Sequence, residues 1–222
     1  MKRHFSDYPI IMTLSSWLSI VTICILGAMS PGPSLAVVIK NTLSGGRSNG
    51  IRTAIGHGLG IGIYAFISMS SIAIIITTSA VLFSTIQFLG ALFLLWMGLK
   101  NLGIINTSAH SDGDENTMVG NTHGFKNGFL IAFFNPKIAL FFIALFSQFI
   151  SIDSPLIEKT VYALTAATID MFWYLLVASL FSNSRLLDGL KRKAVWLDRI
   201  FGVLLIGFGI RLLWELVTHI DS

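Results

Sequence analysis

A chain of 222 residues that is 54% hydrophobic, only 12% charged and has a mean hydropathy of +0.77 is not a water-soluble domain, which carries about a quarter of its residues charged. The formal net charge of +4 reads as loop charge gathered on one face of a bilayer, not as a nucleic-acid footprint. A single cysteine, Cys24, excludes an intrachain disulfide and a cysteine-based metal site. The fold class that follows is an all-α membrane protein.

Six stretches reach the ~20 mostly apolar residues that a spanning helix needs: 16–39, 51–76, 81–99, 128–150, 160–181 and 195–217. The apolar run of the first continues through Pro33 to Ile39, longer than a secretory leader's core, so a retained span is expected there. Trp17, Trp96, Trp196 and Trp214 fall near span ends, where amphipathic rings favour the headgroup layer. Ten of the 15 lysines and arginines, among them Lys40, Arg47, Lys100, Lys126 and Lys191, follow the first, third and fifth spans. The positive-inside rule then puts both termini outside. Polar residues 101–127 divide one transmembrane domain (1–222) into halves, 1–100 and 128–222, of three helices each. Three is odd, so the expectation is six transmembrane helices as two inverted three-helix halves, the layout of many secondary transporters.

Each half opens with an interrupted span. In the first, Pro31, Gly32 and Pro33 lie inside the apolar run; each proline lacks an N–H and clashes with the carbonyl four residues back, which frees the carbonyls of Gly27 and Met29. Freed carbonyls at membrane depth are tolerated only against protein or a polar cavity. In the second, Pro136 stands between Asn135, an amide, and Lys137, a cation inside the bilayer; snorkelling of Lys137 to the inner surface is the plainer reading of that charge.

Asp170 lies near the middle of the fifth span. A carboxylate there costs several kcal/mol unless protonated, paired or hydrated, and such residues mark pathways and proton relays. Lys137, at comparable depth, is its expected partner. His57 sits among Gly56, Gly58, Gly60 and Gly62, whose i, i+4 spacing lets helices approach closely; it reads equally as a proton carrier and as a polar packing residue.

Other patterns carry less. Gly46, Ser48 and Gly50 match the G-x-S-x-G of serine hydrolases, but that motif needs a strand-to-helix elbow on a sheet. His110, Asp112, Asp114, Glu115 and His123 fit no zinc or calcium spacing, so no metal site is expected. The phenylalanines of the fourth span read as lipid-facing and packing surface, and Arg211 and Glu215, at i, i+4, as a surface pair.

Taken together, Ser30 through Pro33, the glycine-rich connection 45–50 leading to 56–60, residues 94–99, Asn135 with Pro136 and Lys137, and Asp170 resemble the LysE/RhtB family of amino-acid exporters over almost the whole chain. The resemblance implies a multi-pass protein of the bacterial inner membrane that exports amino acids or close derivatives, driven by the proton gradient. It implies no enzyme activity and no cofactor; its partners are the lipid bilayer and the substrate, with a homodimer left open. The expected substrate-binding or coupling residues are Pro31, Gly32, Pro33, His57, Asn135, Pro136, Lys137 and Asp170. A metal- or small-ion exporter would show His, Asp and Cys clusters within spans, and an intramembrane hydrolase would need a facing nucleophile and base, for which Ser30, Ser34 and His57 are the raw material. A non-transporting scaffold would leave Asp170 and Lys137 no role beyond pairing.

Overall fold

The computed structural model describes residues 13–30, 32–105, 123–151, 153–180 and 185–220, with backbone alone at 185–194 and 219–220. All regular structure among them is helical: α1 (Leu14–Met29), α2 (Pro33–Thr78), α3 (Ala80–Asn101), α4 (Gly124–Phe133), α5 (Pro136–Phe146), α6 (Leu156–Leu180) and α7 (Arg185–Ile220). Pro31 and most of the central polar segment, with His110, Asp112, Asp114 and Glu115, lie outside the described residues.

The prolines set the first breaks. Thr13 caps α1 by accepting from the Ser16 N–H at 3.2 Å, and the helix stops at Ser30, extended as a residue before proline tends to be. Pro33 opens α2 at its first position, where a missing N–H is no loss. The expected span 16–39 is therefore divided. α1 has 16 residues, about 24 Å of rise, and residues 33–45 belong to α2.

The basic connection expected after that span is helical too, apart from Gly46, whose φ of +75° is the left-handed conformation glycine tolerates. Here α2 folds back on itself. Asn41 Nδ2 donates to Thr53 Oγ1 at 2.9 Å, Asn49 Nδ2 donates to the Asn41 carbonyl at 3.2 Å, and Val38 packs in one cluster with Ala54. The G-x-S-x-G spacing thus lies on a bent helix, not on a hydrolase elbow.

Among the described residues, four helices are long and apolar enough to cross a membrane: Pro33–Thr78, Ala80–Asn101, Leu156–Leu180 and Val195–Thr218 of α7. The pair α4 and α5, bent by 52°, makes a fifth if it crosses as one span. With Leu59, Ile63, Ile67, Phe172, Val203 and Ile210 all exposed, the bundle presents far more apolar surface than a soluble monomer does. It is a multi-pass membrane protein. Of the six stretches expected as spans, the first is divided between α1 and α2 and the fourth between α4 and α5, at the prolines that interrupt them.

α2 is the centre of the bundle. In a helix, positions four apart share a face and positions two apart oppose one another, so its glycines form two seams. Gly56 and Gly60 meet the backbone of Phe125 and Phe129 on α4; Gly58 and Gly62 meet Met171 and Ala167 on α6. Where lipid supplies no hydrophobic force between helices, such backbone approach is what holds them. A Cβ at Gly60 would already lie 2.9 Å from that of Ala132. Gly60→Leu should lower the melting temperature of the purified protein by about 2–10 °C, from the ~1–3 kcal/mol of overpacking. Leu59→Ala, at an exposed neighbour, should leave it nearly unchanged.

Candidate functional site

Both proline breaks open onto one cavity of about 90 Å³, room for several waters at the ~10–15 Å³ that each needs. The first break contributes Ser30, Gly32, Pro33 and Ser34, together with Gly27 and Ala28 from the end of α1. The second contributes Asn135 and Lys137. His57 comes from α2, Asp170 and Tyr174 from α6, and Phe201 from α7. Of the sequence-derived site residues, Gly32, Pro33, His57, Asn135, Lys137 and Asp170 line this space. Pro136 stands one residue outside the lining, as the first residue of α5.

The partner of Asp170 is not Lys137. His57 Nδ1 lies 2.6 Å from Asp170 Oδ2, with the imidazole 1% and the aspartate 7% exposed. Among the described residues, the ion pairs within 4.0 Å are His57–Asp170 and Arg211–Glu215. The His57 ring is held edge-on by Tyr174, centroids 4.7 Å apart. Its other nitrogen, Nε2, is buried with no hydrogen-bond partner. With Nδ1–H donated to a carboxylate, Nε2 is a free acceptor; once the pair has gained a second proton and Asp170 is the acid, Nδ1 accepts and Nε2–H is a free donor. The pair therefore has a protonation state that changes what it offers a guest.

Lys137 instead lies within electrostatic reach of Asp198 on α7. Asp198 Oδ1 accepts from Ser30 Oγ at 2.8 Å, which ties the first break to α7. Asn135 spends its side-chain oxygen as the cap of α5, accepting from the Lys137 N–H at 2.9 Å. The carbonyl of Gly27, expected to be free, is recovered by the Ser30 N–H at 3.3 Å. The two breaks thus bring the Lys137 cation to one space with the His57 imidazole and the Asp170 carboxylate, and Asp198 stands behind Ser30.

The remaining lining is apolar: Ile61, Met97, Ile138, Phe141 and Phe142, with Phe201. Phe141 and Phe142 line this space instead of facing lipid, and Phe142 is buried. Sequence reasoning also passed over Asp198, although it is the lone acid in the basic tract 191–199, a contrast that could have flagged it. A second group it missed is the buried polar cluster beyond Gly46, where Asn49 Oδ1 accepts from the Gly124 N–H at 3.1 Å and joins α2 to α4.

A family model described as LysE type translocator matches residues 25–216. The chain is 30% identical to a leucine efflux protein of Salmonella typhimurium over 94% of this chain and 97% of that one. It is 31% identical to a leucine efflux protein of Enterobacter sp. over 82% and 87%. To a threonine efflux protein of Escherichia coli it is 30% identical over 90% and 98%. No solved structure matches the chain.

Proposed function

We propose that this chain, which belongs to the LysE type translocator family, exports neutral amino acids, with a branched aliphatic side chain preferred, across the bacterial inner membrane in exchange for protons. It is a transporter and not an enzyme. The observation that carries the reading is the cavity itself, where two interrupted helices meet a buried His–Asp pair beside an apolar wall.

Each part of an amino acid has a counterpart there. The Lys137 ammonium and the positive N-terminal ends of α5 and α2 suit a carboxylate. Asp170 suits the ammonium. Ile61, Ile138, Phe141 and Phe142 suit an aliphatic side chain, and leucine efflux proteins are among the relatives. Proton and substrate ammonium then compete for one carboxylate. A proton arriving from outside neutralises Asp170 and frees the substrate outward; loss of that proton to the cytoplasm prepares Asp170 for the next substrate.

The same reading has six crossings in two inverted halves, with α1 and the α4–α5 pair as the interrupted member of each. Helix directions support it. α4 runs parallel to residues 47–78, with Gly56 at Phe125 and Gly60 at Phe129, while α1 lies on α6 through Trp17 and Thr165. α6 is antiparallel to α2, as Gly58 at Met171 and Gly62 at Ala163 require, and α7 is antiparallel to α3.

Proteoliposomes loaded with radiolabelled leucine or threonine provide the test. Leucine should leave faster than threonine, by roughly tenfold if one well-packed aliphatic contact of about 1.4 kcal/mol decides. Export of neither would refute the substrate reading.

A further inference from the structure

One buried acid has no part in the cavity. Glu158, in the first turn of α6, is 6% exposed, and its Oε2 is buried without a hydrogen-bond partner. One turn on, the Tyr162 hydroxyl is buried and lies beside that carboxylate, within hydrogen-bonding reach. Continuing at four-residue steps, the same face of α6 carries Ala166 and Asp170, all of them buried. Ala166 and Asp170 line the cavity. One helix face thus runs from an acid near the helix start, through a hydroxyl, to the His57–Asp170 pair, about 18 Å in all.

Among the described residues, no cation lies within 4.0 Å of the Glu158 carboxylate. Among the described residues α1 has no charged side chain, and α2 beyond His57 offers Tyr64 as its one titratable group. Asp153 in the preceding segment is exposed, and Lys159 follows Glu158 in the chain, half-buried. A carboxylate kept only for stability would be expected to have a cation or donors on both oxygens. The start of α6 lies at the end of the bundle away from the lysine- and arginine-rich connections, the outer side on the orientation given above.

We infer that Glu158 is the outer proton-loading site of the exporter, taking up a proton from the external medium and passing it along the Tyr162 face of α6 to the His57–Asp170 pair. The inference rests on the proton-exchange reading. In the loading step an O–H bond forms on Glu158 Oε2 as hydronium becomes water. In the transfer step that bond breaks and one forms on Asp170, with the Tyr162 hydroxyl and water as carriers, so Glu158 ends as carboxylate again.

Two measurements test it. Infrared spectra of the lipid-reconstituted protein should contain a carboxylic-acid C=O band that grows on acidification and vanishes in Glu158→Gln. Absence of such a band overturns the inference, whatever the transport results. In leucine-loaded proteoliposomes, Glu158→Gln should keep leucine exchange at symmetric pH, which also reports its folding, while the acceleration of export by outer acid falls at least tenfold. Glu158→Asp should restore that acceleration, and Tyr162→Phe, which removes only a hydroxyl, should slow it. If wild type responds to outer acid and Glu158→Gln responds equally, Glu158 is not the loading site. If wild type is indifferent to outer pH, the proton-exchange reading fails and takes this inference with it.

Discussion

Asp170→Asn should yield a correctly inserted protein that exchanges leucine across the membrane but no longer exports it in response to a pH gradient. The asparagine oxygen can still accept from His57 Nδ1, now 2.6 Å from Asp170 Oδ2, so the contact between α2 and α6 survives. What disappears is the choice between holding a proton and holding an ammonium. Gradient-driven export should fall on the order of 100-fold, because a coupling of about 3 kcal/mol is worth that factor. Counterflow, in which a substrate ammonium is always present, should fall by less. Parallel assays of the two modes, normalised to protein in the membrane, decide the matter; a pH response equal to wild type would put the coupling group elsewhere.

Lys137→Met should act on binding. It removes the cation proposed to hold the substrate carboxylate, a charged hydrogen bond of about 1.5–3 kcal/mol, so the concentration for half-maximal export should rise by roughly 10–100-fold. It also strips Asp198 of the charge it faces, and a half-buried carboxylate left alone destabilises the fold. Adding Asp198→Asn should therefore recover much of the lost thermal stability of Lys137→Met without recovering affinity. If the double variant regained affinity as well, Lys137 would be a structural counter-ion and not a substrate contact.

How much of this was legible depended on whether a residue's height in the membrane or its direction around the helix was needed. Pro33, Asn135, Lys137 and Asp170 were found because a proline or a charge in an apolar run is conspicuous by composition alone, and height follows from counting residues. Pairing Asp170 with Lys137 used height only. The two do sit around one cavity, but each faces another partner, and the azimuth that decides this comes from how α5, α6 and α7 pack. His57 was visible yet undecided, since the glycines beside it are a packing signal in their own right. The polar and basic flanks of Gly46 mark a connection between spans; the chain instead stays helical on both sides and buries Asn41, Asn49 and Thr53 against one another. Phe141 and Phe142 look like their lipid-facing neighbours, and nothing in hydropathy separates a phenylalanine facing a cavity from one facing a lipid tail.

The glycine seams on α2 also set how the bundle can move. On each face the seats recur every four residues, about 6 Å of rise, and the surface between them bears side chains. A neighbour displaced by roughly half that rise would ride up onto a Cβ instead of dropping into a gap. The two interfaces behave as detents: α4 and α6 can rock within a seat or jump a whole one, and positions between seats are crests. A distance recorded across either interface in single molecules should accordingly dwell and click between a few values, with no slow drift connecting them.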